Sequence, residues 1–150
     1  MVEVVVSSLG NLRQEIWAGG HTLQADEPRE VGGEETGPSP YELLLGALGA
    51  CTSMTLLLYA RRKQWPLEHV EVRLRHNRIH AADCAACETK EGYLDAIEKE
   101  IVVAGDLSAE QVERLGEIAH KCPVNQTLLR EVQITQAVRH VGAAETQPPT

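Results

Sequence analysis

The sequence predicts an α+β fold, an antiparallel sheet packed with one long central helix and a second, shorter helix. Three observations predict it. The first 25 residues read as short strands cut by tight-turn signals. A capped, strongly apolar helix follows. After it come strand, strand, helix and strand patterns, without the repeated βα unit that builds a parallel sheet.

In chain order, Val2, Val4 and Val6 alternate with Glu3, Val5 and Ser7, the period of a strand. Ser8-Leu-Gly-Asn is a turn, Leu12 to Trp17 a second strand, Gly19-Gly20 a second turn, and Thr22 to Ala25 a third strand. Residues 26–38 form a loop rich in Gly, Pro and Glu. Ser39 then reads as an N-cap, Pro40 as the first helical residue and Glu42 as the reciprocal member of a capping box. The helix runs to about Lys63, roughly 23 residues and about 35 Å. Arg61, Arg62 and Lys63 lie at its C-terminal end, where the dipole favours cations. Leu44, Ala47, Leu48, Cys51, Thr55 and Leu58 share a stripe, and further leucines widen it almost all round. Such a helix is expected to be buried on most sides. Gly46 and Gly49 lower helix propensity, and their expected use is close approach of another backbone near Cys51.

Beyond Trp65-Pro66, residues 70–76 and 96–104 read as strands, joined through a connection at 77–92. Ser108 caps a helix reaching His120, with Val112, Leu115, Ile118 and Ala119 inward. Residues 123–130 make a short helical turn, and Val132 to Val138 a last strand. The whole reads as one domain over residues 1–140, with a loose tail at 141–150.

Composition narrows the function. The chain has 150 residues, 43% hydrophobic, with no Phe, so aliphatic side chains must fill the core. Its formal net charge of −8 argues against general binding to nucleic acid or to anionic membranes. The N-terminus lacks the pattern of a signal peptide, and the longest apolar run, Leu43 to Ala50, is short for a bilayer span. A cytoplasmic location is the expectation. There, four cysteines point to catalysis, redox chemistry or metal binding more than to a disulfide framework.

Two cysteines stand in contexts suited to chemistry. Cys51 lies inside the apolar helix and Cys122 in Lys121-Cys-Pro-Val, between two helices. Together they suggest a redox pair; the alternative is that Cys51 is a small core residue among leucines. Cys84 and Cys87 have CxxC spacing in the strand connection, near His76, His80, Asp83 and Glu88. Three readings stand: a zinc or other soft-metal site using Cys84, Cys87 and His80, a local dithiol, or two incidental cysteines. His120 either lowers the Cys122 pKa or serves the helix C-terminus.

These motifs carry a resemblance. The segment Gly37-Pro-Ser-Pro-Tyr-Glu-Leu-Leu-Leu-Gly-Ala-Leu-Gly-Ala-Cys, the later Lys121-Cys-Pro-Val and the 71-residue cysteine separation (122 − 51) resemble the OsmC/Ohr family of thiol-dependent hydroperoxide reductases. The likeness extends from the N-terminal strands to about Val138 and points to a less-characterised branch. It implies an intertwined homodimer with paired long helices and active sites at the subunit interface. It implies a peroxidase active on organic hydroperoxides, with a role in oxidative stress. Cys51 would attack the peroxide and form a sulfenic acid, and Cys122 would resolve it as a disulfide. An external dithiol would return the protein to its reduced form, and no bound cofactor is required.

Three features depart from the better-known branches. Tyr41 occupies the place of their catalytic glutamate, so Glu42 is the nearest carboxylate. Arg29 in the loop and Arg13 in the strand meander are the candidates for the assisting arginine, with Arg29 favoured. The Cys84–Cys87 insert is not part of the family pattern. A non-catalytic small-ligand or metal-binding protein on the same scaffold is the competing reading.

Overall fold

The computed structural model describes residues 1–142. Residues 143–150, which make up most of the tail expected at 141–150, lie outside the described residues. The described residues form two compact units: Met1–Leu43 with residues 133–142, and Leu44–Val132.

In the N-terminal unit, β1 (Val4–Gly10), β2 (Arg13–Ala18) and β3 (His21–Ala25) form an antiparallel sheet in the order β1-β2-β3. The register sets Val6 opposite Ile16 and Ile16 opposite Leu23, which puts the three on one face. The β2–β3 turn needs both of its glycines, because Gly19 and Gly20 sit at φ 55° and 83°. The loop after β3 is organised by Asp26, which is buried. Its carboxylate accepts from the Glu27, Glu34 and Thr36 amides at 2.8, 3.1 and 3.2 Å and from the Thr36 hydroxyl at 2.9 Å. Burial pushes the Asp26 carboxyl up, but these donors together hold it below its ordinary value.

Helix α1 (Pro40–Lys63) begins at the expected capping box. The Glu42 carboxylate accepts from the Ser39 amide at 2.7 Å, and Ser39 Oγ accepts from the Glu42 amide at 3.4 Å. The helix spans 24 residues. It is long and apolar enough, by length and composition, to cross a membrane, which the short run Leu43 to Ala50 did not suggest. Gly46 and Gly49 do not end the helix, so the apolar stretch is longer than that run.

In the C-terminal unit the buried face of α1 is Leu48, Gly49, Thr52, Leu56 and Ala60. This stripe is rotated from the expected one. Leu58 is 54% exposed and Met54 62%, so the helix is not covered on most sides by its own chain. A helix apolar almost all round has no periodicity from which to choose a face; packing partners choose it. Gly49 approaches a side chain rather than a backbone, since a Cβ there would lie 2.8 Å from Leu74 Cδ1, while Gly46 faces open space.

Strands β4 (Leu67–His80) and β5 (Tyr93–Gly105) pair antiparallel from Leu67↔Gly105 to His80↔Tyr93. The ladder therefore continues well beyond the expected strands, and the connection shrinks to residues 81–92. Helix α2 (Ala109–Ala119) carries the expected Ser108 cap, closed into a full capping box by Gln111. Its Leu115, Ile118 and Ala119 join Leu56 as the core, flanked by Tyr59, Trp65, Val70, Ile101 and Val103. Val112, expected inward, is 44% exposed. Helix α3 (Pro123–Leu129) follows at once.

The last expected strand does not form. Residues 131–142 have no regular secondary structure, and Ile134 and Val138 are almost fully exposed. An alternating apolar segment becomes a strand only when another strand supplies its hydrogen-bond partners, and no described strand of this chain does so.

Candidate functional site

The C-terminal unit brings the two expected cysteines together. Cys51 projects from α1 and is partly buried, and Cys122 is wholly buried at the start of α3. Both are free thiols, and each lies near enough to shift the other's acidity. The placement follows from local sequence. Cys122 is the N-cap of α3, with Pro123 at the first helical position, and its sulfur accepts from the Asn125 amide at 3.3 Å. One residue after Cys51, the Thr52 hydroxyl lies 2.9 Å from the Leu48 carbonyl and 3.6 Å from Cys122 Sγ. From β5, Lys99 Nζ reaches Thr52 Oγ1 at 3.4 Å and Asn125 Oδ1 at 3.3 Å.

The two thiols are driven apart electrostatically. Burial pushes the Cys51 thiol up, and the Cys122 sulfur beside it adds to the rise, outweighing donation from the Val124 amide and the Thr55 hydroxyl. Burial also pushes Cys122 up, but the Asn125 amide, the Thr52 hydroxyl, the Cys51 thiol and the Lys99 ammonium together hold it below the ordinary thiol value. Of the two thiols, Cys122 is therefore the more acidic.

Beside the pair lies a cavity of about 470 Å³. Leu48, Ile97, Leu128 and Leu129 supply apolar walls, and Asp95, Lys99, His120 and Asn125 supply polar atoms; the cavity meets the thiol pair through Lys99 and Asn125, and neither cysteine lines it. Such a volume suits a small, mostly apolar molecule that carries one polar group.

The other expected site residues have different surroundings. Glu42 is engaged in the capping box, whose two hydrogen bonds hold its carboxyl below the ordinary value. Arg29 lies on the exposed loop with Nε 3.4 Å from Glu35. Arg13 Nε lies 3.2 Å from Glu34. Cys84 and Cys87 are joined as a disulfide at the tip of the β4–β5 hairpin. The His80 ring packs against Tyr93, with centroids 4.4 Å apart. Among the described residues no group of three or more His, Cys, Asp or Glu is placed to hold a metal. The Cys84, Cys87 and His80 ligand set is therefore not assembled here, because the sulfurs are spent on each other.

Thr52, Lys99 and Asn125 were missed in the sequence. A signal existed for Lys99: on β5 it shares the inward parity of Ile97, Ile101 and Val103, where a lysine breaks an otherwise apolar face.

Comparison with known proteins bears on the family and the fold. The family model described as OsmC-like protein matches residues 32–137. No curated protein sequence matches. Among solved structures, the chain is similar to an organic hydroperoxide resistance protein OsmC of Legionella pneumophila, with 22% identity, 85% of this chain and 88% of that one covered, and a TM-score of 0.61. It is similar to an OsmC-like protein of Mycoplasma pneumoniae, with 15% identity, coverages of 86% and 87%, and a TM-score of 0.62. It is also similar to an organic hydroperoxide resistance protein of Elizabethkingia anophelis, with 16% identity, coverages of 85% and 86%, and a TM-score of 0.60. At these identities the likeness establishes the fold, and with the family match over most of its length the chain belongs to the OsmC-like family.

Proposed function

We propose that this chain is a thiol-dependent peroxidase that reduces organic hydroperoxides to alcohols. The observation that carries the reading is the proximity of two free thiols 71 residues apart (122 − 51) in the chain. Cys51 attacks the terminal peroxide oxygen as a thiolate, its proton having passed to Cys122. The O–O bond breaks, the alcohol leaves after taking up a proton, and Cys51 becomes a sulfenic acid. The Cys122 sulfur then attacks the Cys51 sulfur, a disulfide forms and water leaves. An external dithiol reduces that disulfide in a second half-reaction, so turnover is ping-pong. The chemistry calls for no bound cofactor and suits the reducing cytoplasm. Glu42 and Arg29 enter as activating groups through the family resemblance, not through geometry.

The working form we propose is a homodimer. Met54 and Leu58 on α1, and Ile134 and Val138 near the C-terminus, are exposed apolar residues that a second copy would cover. Sedimentation of the full chain should give twice the 16.4 kDa monomer mass.

The enzymatic test is consumption of cumene hydroperoxide with dithiothreitol by wild type and by Cys51→Ser. Turnover by wild type alone is expected; no turnover by wild type, or equal turnover by the variant, removes the proposal. The cavity also favours a second reading, retention of a small apolar ligand without turnover. That reading predicts a co-purifying ligand and an inert thiol pair.

A further inference from the structure

We propose that Lys99 is a positioning residue for thiol exchange, favouring the Cys122 thiolate through Thr52 and Asn125 when that sulfur attacks or leaves. The inference deepens the peroxidase reading and rests on it for its place in the cycle.

The placement of Lys99 calls for an explanation. It is half-buried on the inward parity of β5 between Ile97 and Ile101. An ammonium there gives up hydration, so it must recover interactions inside. The two acceptors it finds are Thr52 Oγ1 at 3.4 Å and Asn125 Oδ1 at 3.3 Å. Both residues also donate to Cys122 Sγ, Thr52 through its hydroxyl at 3.6 Å and Asn125 through its amide at 3.3 Å. Lys99 is thus joined to the sulfur by two short links, one from α1 and one from α3.

Proton counting gives the links a direction. A threonine hydroxyl has one proton and two lone pairs. Lys99 can only donate, so it occupies a lone pair on Thr52 Oγ1 and leaves the proton to go elsewhere. Its two acceptors are the Leu48 carbonyl at 2.9 Å and Cys122 Sγ. An anionic sulfur is the stronger acceptor, so rotation of this hydroxyl stabilises the Cys122 thiolate. In a poorly hydrated site the ammonium also acts on the sulfur directly. The titratable groups acting on Cys122 are Cys51 from α1 and Lys99 from β5, and His120 and Lys121 precede it in the chain. The depressed acidity of Cys122 agrees in direction with this geometry.

The device serves both half-reactions. In condensation, the Cys122 thiolate attacks the Cys51 sulfenic sulfur, the S–O bond breaks, and hydroxide leaves to become water on protonation. In reduction, a thiolate of the external dithiol attacks Cys51, the less buried sulfur, and Cys122 departs as a stabilised thiolate. The second thiol of the reductant then releases Cys51, which takes up a proton. In these steps Lys99 acts through the Cys122 sulfur.

The test separates acidity from turnover. Thiolate absorbance at 240 nm is titrated against pH in Cys51→Ser, with Cys51→Ser/Cys122→Ser subtracted so that only Cys122 contributes. Adding Lys99→Met should move the Cys122 midpoint to higher pH, and Lys99→Arg should restore it. In the chain with both cysteines, Lys99→Met should slow disulfide formation after one equivalent of cumene hydroperoxide. Measured at a pH below the wild-type midpoint, the expected loss is about three- to fourfold per pH unit of midpoint shift, since a more basic thiolate is scarcer but more nucleophilic. Circular dichroism checks folding, and Lys99→Gln replaces the methionine variant if that one does not fold. An unmoved midpoint in a folded variant overturns the proposal, as does a shift that arginine fails to reverse. If wild type consumes no peroxide while the midpoint still follows Lys99, the peroxidase reading falls and the positioning role stands.

Discussion

Replacing Thr52 with valine removes one hydroxyl and nearly preserves shape, so it separates thiol acidity from packing. Thr52 is wholly buried. Its hydroxyl meets the Leu48 carbonyl at 2.9 Å, Lys99 Nζ at 3.4 Å and Cys122 Sγ at 3.6 Å. Losing a hydrogen bond of this kind costs about 1 kcal/mol net. The Leu48 carbonyl keeps its place in the helix, and Lys99 keeps Asn125 Oδ1 at 3.3 Å. Against the loss, the added methyl buries apolar surface worth about 0.8 kcal/mol. The sum is a stability change within about 1 kcal/mol, or roughly 2–4 °C in Tm for a chain of this size. The thiol should respond quite differently. Cys122 loses a hydroxyl donor and one of its two links to Lys99, so its midpoint at 240 nm should rise in Cys51→Ser/Thr52→Val. Thermal melts and the titration on one preparation check both halves. An unchanged midpoint would refute the hydroxyl link; a fall of about 10 °C or more would show that Thr52 acts chiefly in packing.

Three further outcomes are expected. Leu56→Ala, at a wholly buried core position against Leu115 and Ile118, should cost about 2–5 kcal/mol in urea unfolding, and a cost below 1 kcal/mol would contradict the core assignment. Asp26 is depressed in the folded chain, so its contribution is complete above its ordinary value of 3.8 and is lost as pH falls through the lower folded value; amide exchange at Glu27, Glu34 and Thr36 should therefore accelerate in wild type at strongly acidic pH, and the same profile in Asp26→Asn would count against it. The Cys84–Cys87 bridge closes a loop of only a few residues, so its reduction should lower stability by no more than about 2 kcal/mol, read as a small shift of the urea midpoint.

Local chemistry made some parts of the fold readable in advance. Gly19-Gly20 marks a turn because left-handed backbone suits glycine, and Ser39 with Glu42 starts a helix because the first amides need acceptors. Ser108 does the same for α2. The cysteine pair was suggested by the sequence contexts of Cys51 and Cys122 and implied by the family resemblance; that Cys122 is an N-cap came from the structure. The missed features depend on a partner. The buried face of α1 could not be read because leucines surround the helix and only β4, β5 and α2 choose among them. Residues 132–138 alternate like a strand, yet no described strand pairs with them. The disulfide at Cys84 and Cys87 was not among the three readings of their CxxC spacing, which were a metal site, a local dithiol and two incidental cysteines.

By itself, the sequence determined the α+β class, the capped helix that carries Cys51 and the turn that presents Cys122. Those features rest on hydrogen bonds and backbone preferences between residues a few positions apart. Tertiary structure alone decided which thiol is the more acidic. That choice needs Thr52 from α1, Lys99 from β5 and Asn125 from α3 around one buried sulfur. Electrostatics depends on distance in space, and 23 residues separate Lys99 from Cys122 along the chain (122 − 99).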